Sequence, residues 1–226
     1  MIEFKNIDKK FGESFSLKKV SFKIDKGEFV FLTGPSGAGK TTILRLILKK
    51  LNPSDGTIKV FGEDLEEIGK KQLPLFRQKI GMIFQDFKLL QDRTVEENVS
   101  LPLIILGKSE EEADEQVKKV LDLVGLSKKA NLFPSQLAGG ELQRVCIARA
   151  VVGQPDLVLA DEPTGNLDLS TSWQIVKLLK KINEEGKTVI MATHNFEVVN
   201  SLKTRVISLD DGKIISDEEK GGYKIK

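Results

Sequence analysis

The residues best suited to chemistry begin with one glycine-rich run, Gly34-Pro35-Ser36-Gly37-Ala38-Gly39-Lys40-Thr41, which fits the spacing G-x-x-x-x-G-K-[ST]. Glycine there lets backbone N–H groups close around phosphate oxygens with no β-carbon in the way. The Lys40 ammonium is a point charge for β- and γ-phosphates, and the Thr41 hydroxyl is placed for Mg²⁺. Thr42 follows on a predicted helix whose N-terminal dipole also favours an anion. The apolar run Phe29-Val30-Phe31-Leu32 precedes the loop, which gives the strand–loop–helix setting this motif needs.

A second set of polar groups closes other apolar runs. Asp161 and Glu162 follow Leu157-Val158-Leu159-Ala160 directly, and a carboxylate at the end of a buried strand stands on the usual ligand edge of an open α/β sheet. Asp161 reads as the acid on the Mg²⁺ side, acting through water. Glu162 reads as the general base that orients and deprotonates an attacking water. His194, the only histidine, follows Thr188–Thr193, where it can donate to a γ-phosphate or hold the water with Glu162. Gln85 ends Gly81-Met82-Ile83-Phe84, and its amide can meet the metal or the water. On their own, a lone histidine and a loop glutamine are as well explained by packing and solvent. Leu137-Ala138-Gly139-Gly140-Glu141 adds a Gly-Gly turn at a helix start, a second anion-binding N-terminus twenty positions before Asp161.

The positioning elements are read from periodicity. Strands are expected at Ile2–Ile7, Ser16–Ile24 and Glu28–Thr33, then a helix from about Thr41 to Lys50 that Asn52-Pro53-Ser54-Asp55-Gly56 stops. A hairpin-like segment is expected near Thr57–Phe61. Residues 86–135 read as helices. Ser109 with Glu110-Glu111-Glu112 makes a capping box, and Val117, Val120, Leu121 and Val124 mark one apolar face. From Glu141 the α/β pattern returns: a helix to about Gly153, the strand Leu157–Ala160, a helix at Ser170–Asn183 and the strand Thr188–Ala192. A final hairpin is expected around Asp210-Asp211-Gly212.

In this order, the segments resemble the ATP-binding cassette (ABC) ATPases across essentially the whole chain. Gly34–Thr41 corresponds to Walker A, Gln85 to the Q-loop and Leu137–Glu141 to the signature. Leu157–Glu162 corresponds to Walker B, Asn166-Leu167-Asp168 to the D-loop and His194 to the switch. The resemblance implies an α/β fold of the P-loop NTPase class, an ABC nucleotide-binding domain with an N-terminal antiparallel β region and a helical subdomain. It implies one domain over residues 1–226 with a helical insert at about 86–153, ATP and Mg²⁺ as cofactors, and an ATP-dependent homodimer. Gln85 joins Thr41 and Asp161 as a metal-side residue, and Ala138, Gly139, Gly140, Glu141 and Asp168 count among the nucleotide-binding positions. Phe11 falls where the family stacks an aromatic on adenine, a contact of about 1–3 kcal/mol in base-stacking systems; a core position is the other reading.

Within the family, Phe84–Leu90, Asp92–Val99 and a short C-terminus with Arg205-Val206-Ile207 and Gly222-Tyr223 are similar to the cell-division branch. That likeness implies a peripheral ATPase on the cytoplasmic face of the membrane, beneath an integral membrane partner resembling FtsX that controls peptidoglycan hydrolysis outside the cell. ATPase subunits of lipoprotein-release and macrolide-export transporters look similar and are the alternative. One position departs from the pattern, because most family members carry serine where this chain has Ala138. That hydroxyl ordinarily reaches the γ-phosphate of a nucleotide held by the partner copy. A hydrogen bond to a charged group contributes about 1.5–3 kcal/mol, so a weaker or slower ATPase is expected.

Bulk properties agree. With 40% hydrophobic and 30% charged residues in 226, the chain has an ordinary globular balance and enough length for a large core. Lys plus Arg total 35 against 33 acids, a net charge of +2, so no nucleic-acid partner is expected. One cysteine, Cys146, excludes an internal disulfide framework. Met1–Lys5 lack the apolar stretch of a signal peptide, and no apolar run approaches the roughly 20 residues of a membrane span.

Overall fold

The computed structural model describes residues 1–222; Tyr223 of the C-terminal resemblance lies outside them. Two sheets carry the fold. The first is antiparallel, in the order β2-β1-β4-β5, from β1 (Ile2–Phe11), β2 (Ser14–Ile24), β4 (Asp55–Val60) and β5 (Glu63–Asp64). The second has the order β10-β9-β3-β8-β7-β6, from β3 (Phe29–Thr33), β6 (Ile80–Ile83), β7 (Leu157–Asp161), β8 (Thr188–Thr193), β9 (Arg205–Asp210) and β10 (Lys213–Glu218). It is parallel from β9 through β6, and β10 closes its edge antiparallel to β9.

The unbroken apolar strands are explained by a core on each face. Phe29 and Phe31 of β3 point into one core, Val30 and Leu32 into the other. β7 divides the same way, with Val158 and Ala160 on one side and Leu157 and Leu159 on the other. One core is filled from helices α3 (Val95–Ile105), α4 (Glu110–Leu123), α5 (Gly139–Val151), α6 (Leu169–Glu184) and α7 (Phe196–Ser201). The other lies between α1 (Lys40–Ile47), the six-stranded sheet and the antiparallel sheet.

Parallel register lines up the ends that matter. Thr33 pairs with Thr193, Ala192 with Asp161, and Ala160 with Ile83. Four neighbouring strands, β3, β8, β7 and β6, therefore deliver the phosphate loop, His194, the Asp161-Glu162 pair and Gln85 to one edge.

Several boundaries differ from the sequence expectation. Helix α1 ends at Ile47, short of Lys50 and well before Pro53. Lys49 takes a left-handed φ of 48°; its N–H bonds Leu46 O at 2.8 Å, and the Lys50 N–H bonds Arg45 O at 2.9 Å. This is a Schellman stop built on lysine instead of glycine. A short helix, α2 (Leu73–Gln78), precedes β6, and α7 follows His194; neither has enough turns to leave a periodic signal. The Thr57–Phe61 segment belongs to β4, which pairs with β1 and the two-residue β5.

The stretch after Gln85 gains a physical reason for its residues. Thr94 caps α3 in a complete capping box with Glu97, as Ser109 caps α4 with Glu112. Asn98 is fully buried; its side chain accepts from the Leu90 N–H at 2.8 Å and donates to Leu90 O, Arg93 O and Thr94 O at 2.9–3.1 Å. One amide thus satisfies four backbone groups of the 90–94 loop. Asn98→Ala removes the partner of the Leu90 N–H and of Arg93 O, while Thr94 O and Leu90 O keep backbone donors, and a loss of about 1–3 kcal/mol is expected, read as a lower urea midpoint.

Candidate nucleotide site

The phosphate loop is shaped by close contacts as well as by its own torsions. Gly34 has φ 142°, and a β-carbon there would sit 2.2 Å from Leu209 O of β9. Gly39 has φ 107°, and its β-carbon would sit 2.6 Å from Leu17 Cδ2 and 2.9 Å from Ser16 O of β2. Pro35, Ser36, Gly37, Gly39, Lys40, Thr41 and Thr42 line a cavity of about 590 Å³ with Ser16, Gln85, Glu162 and His194. Ala38 is buried beneath it. The Lys40 ammonium, 6% exposed, donates to Gly34 O at 2.7 Å and Pro35 O at 3.0 Å, and lies 3.6 Å from Glu162 Oε1.

At the end of β7, Glu162 faces this lysine and Asp161 faces Thr41. Asp161 Oδ1 accepts from the Thr41 hydroxyl at 2.9 Å, so the two metal-side candidates are in contact. Burial raises the Asp161 carboxyl above its ordinary range, against the opposing pull of the Thr41 hydrogen bond. Glu162 has φ 48°, rare for a residue with a β-carbon. Its N–H bonds Ala192 O at 2.9 Å and its carbonyl accepts from the Gly165 N–H at 3.1 Å, which holds the turn. Its Oε1 lies 2.9 Å from His194 Nδ1, and its Oε2 accepts the His194 N–H at 3.3 Å. Gln85 closes the far side, its Nε2 near the Gly165 backbone, and shares a second cavity with Thr41 and Asp161.

The remaining predicted residues lie elsewhere. Phe11 ends β1 at a hairpin tip, 49% exposed with Lys9 Nζ 5.2 Å from its ring centroid, so it is no core residue. Ala138, Gly139, Gly140 and Glu141 open α5 and do not line the phosphate-loop cavity of their own chain, nor does Asp168. Asp168 caps α6, accepting the Thr171 N–H at 2.9 Å and the Thr171 hydroxyl at 2.5 Å. Those bonds hold its carboxyl below the usual carboxylate range. Ala138 has no side chain with which to cap α5; only Glu141 Oε2 reaches back, to the Ala138 N–H at 3.2 Å.

Sequence reasoning passed over two residues here, Ser16 and Arg149. Ser16 Oγ meets Thr42 Oγ1 at 2.8 Å and lines the cavity, although nothing marks it within an ordinary strand. Arg149 donates to Lys88 O at 2.6 Å and Phe87 O at 2.8 Å, and Cys146 Sγ also donates to Phe87 O, at 3.2 Å. Phe87 and Lys88 are both left-handed, so α5 grips a strained segment just past Gln85. Cys146 itself is a buried core residue, its thiol pushed up to about 12 by burial.

Comparison with known proteins agrees with this geometry. The family model described as ABC transporter matches residues 17–165. The chain belongs to the ABC transporter family. Like other cassettes of that family it binds ATP and hydrolyses it. It is 50% identical to the cell division ATP-binding protein FtsE of Bacillus subtilis over 224 residues, 99% of this chain and 98% of that protein. It is 47% identical to FtsE of Mycobacterium tuberculosis over 225 residues, 99% of this chain and 98% of that one. A dimeric structure of the ATP-binding cassette MJ0796 in a post-hydrolysis state, bound to ADP and Pi, superposes with TM-score 0.87 at 39% identity, over 99% of this chain and 100% of that one.

The raised Asp161 carboxyl sets a pH dependence for this cassette. A carboxylate whose folded pKa exceeds its unfolded value costs stability once ionised, and the cost fades as pH falls through the folded pKa. Asp161→Asn should therefore raise the melting temperature of the nucleotide-free protein at neutral pH, and the gain should shrink in acid. Calorimetric melting across pH checks both.

Proposed function

We propose that two copies of this chain close on ATP beneath an integral membrane partner resembling FtsX, as the ATP-hydrolysing subunit of a cell-division complex that regulates peptidoglycan hydrolysis. The observation that carries this is the incompleteness of the cavity. It gathers Lys40, Thr41, Gln85, Glu162 and His194, yet the Gly139-Gly140 turn and Asp168 of the same chain stay outside it. A second copy facing the first supplies them. The dimeric cassettes of similar structure support this arrangement, and the FtsE relatives favour cell division over lipoprotein release or macrolide export.

In this reading the loop amides, Lys40 and Thr42 hold the phosphates, and Phe11 offers its exposed ring to adenine. Lys40 is already buried among acceptors, with loop carbonyls that phosphate oxygens would replace. Thr41, Asp161 and Gln85 form an oxygen-rich set suited to Mg²⁺, which would neutralise charge on the β- and γ-phosphates. Glu162 takes the proton of the attacking water, and His194 orients its carboxylate. The helical insert at about 86–153 belongs to the same single domain.

An apolar groove supports a docking place for such a partner. No helix among the described residues is long and apolar enough to cross a membrane. A groove of about 530 Å³ between α2, α3 and the end of α5 is lined by Pro74, Met82, Leu101, Ile105 and Arg149. Ile105 in its lining and the neighbouring Ile104 are 72% and 65% exposed, large for apolar side chains. Because Arg149 also holds the segment after Gln85, the groove is mechanically joined to the γ-phosphate end of the cavity.

Glu162→Gln is expected to lower turnover by about 10²–10⁴ while ATP stays bound and dimers accumulate. Full steady-state hydrolysis would exclude Glu162 as the base. Ala138→Ser should restore a donor to the partner-held nucleotide and lower the ATP concentration for half-dimerisation by about tenfold. Sedimentation across an ATP titration reads it, and an unchanged midpoint with unchanged turnover would remove Ala138 as a determinant. Complementation with Glu162→Gln separates a machine that needs turnover from a switch that needs only the closed dimer.

A further inference from the structure

The Gly-Gly turn at the start of α5 is packed against its own chain in an unusual way. Gly140 is absent from the left-handed residues, so its torsions do not call for glycine. Space does. A β-carbon on Gly140 would lie 2.4 Å from Thr171 Cγ2 on the first turn of α6. That methyl is not free to swing aside, because the Thr171 hydroxyl donates to Asp168 Oδ2 at 2.5 Å and its N–H to Asp168 Oδ1 at 2.9 Å. Gly139 leans on the same loop, with Leu167 Cδ2 at ordinary contact distance from where its β-carbon would be.

This contact matters more here because the helix start has little else to fix it. Ala138 brings no capping oxygen, and the Glu141 carboxylate that reaches back is also drawn to Lys129. Nearby on the same two helices, the buried side-chain atoms Gln143 Nε2 and Ser172 Oγ have no hydrogen-bond partner among the described residues. One turn further along, Arg144 Nη2 on α5 donates to Gln174 Oε1 on α6 at 2.7 Å, but at the first turns themselves the two helices meet through the Gly140–Thr171 contact.

We propose that Thr171 is a positioning residue that locks the Gly139-Gly140 turn to the Asn166–Asp168 loop, so that both meet the second copy's nucleotide as one block. The proposal rests on the two-copy reading above. Its chemistry is steric and local: the methyl sets where the α5 amides stand, and the hydroxyl ties that methyl to Asp168.

The test uses the full chain carrying Glu162→Gln, with dimerisation followed by sedimentation across a Mg²⁺-ATP titration. Gly140→Ala should raise the half-dimerisation concentration about tenfold, and the same change in a Thr171→Ser background, which drops the methyl and keeps the hydroxyl, by about twofold or less. Thr171→Val keeps a methyl, loses the hydroxyl and should give no such rescue. An equal penalty for Gly140→Ala in the threonine and serine backgrounds, or no penalty in either, overturns the proposal. If Gly140→Ala fails to fold, recovery of folding by Thr171→Ser supports it and continued failure overturns it. If Glu162→Gln alone never dimerises, the two-copy reading falls separately. The 140–171 coupling is then read from melting temperatures of the same four variants, where additive effects overturn it.

Discussion

Leu209 O of β9 presses on Gly34 from one side, and Ser16 O and Leu17 of β2 press on Gly39 from the other, each nearer than any β-carbon tolerates. The phosphate loop is thus clamped between its two sheets, and both contacts are backbone or core atoms that do not yield easily. The geometry of the whole site depends on this clamp. It fixes where Lys40 emerges, which sets how far the ammonium is from Glu162. It also ties the antiparallel sheet, and with it exposed Phe11 at the β1 tip, to the loop. Glycine serves the anion and the packing together, so a mutation at Gly34 or Gly39 would harm the cradle before any phosphate arrived.

Glu162 is the electrostatic counterpart of that clamp. Its left-handed torsion costs of order 1–3 kcal/mol and persists only where neighbours over-determine it. Here β8 supplies them: Ala192 O accepts the Glu162 N–H, and the residues just past the strand bring His194 against its carboxylate. The reward is a carboxylate aimed between a buried ammonium and the imidazole, while its neighbour Asp161 turns to Thr41. Two adjacent acids therefore face two different partners. A strand end alone would point them along successive sides of a sheet; here they line two adjoining cavities that share Thr41 and Gln85.

The sequence made the strand ends legible because continuous apolar runs bounded by Gly, Asp or His leave few alternatives. Gln85, Asp161, Glu162 and His194 all emerged from that logic, and parallel register brought them together. Lys49 was not legible as a helix stop, since lysine is a good helix former and its left-handed torsion is imposed by the capping bonds around it. Ser16 was hidden for another reason: its contact with Thr42 joins residues 26 positions apart on different elements. Thr94 and Asn98 sat within a stretch that looked like a family trait, and their capping and loop-filling bonds account for it physically.

Ala138 is where these threads meet. A serine there would cap the helix start and, in the proposed two-copy site, also reach a facing nucleotide, so alanine gives up the first and would give up the second. The helix start is held by other means, through Glu141, Lys129 and the methyl of Thr171. None of those groups replaces the missing donor, because each faces its own chain. In the proposed dimer the amides of Gly139 and Gly140 would then carry the contact with a facing phosphate unaided, and amides act only where packing has placed them. A cassette built this way depends on rigid placement more than on hydrogen-bond number. In the proposed two-copy site, that would shift the control of closure from the signature side chain to the α5–α6 junction beneath it, where Asp168 is also anchored.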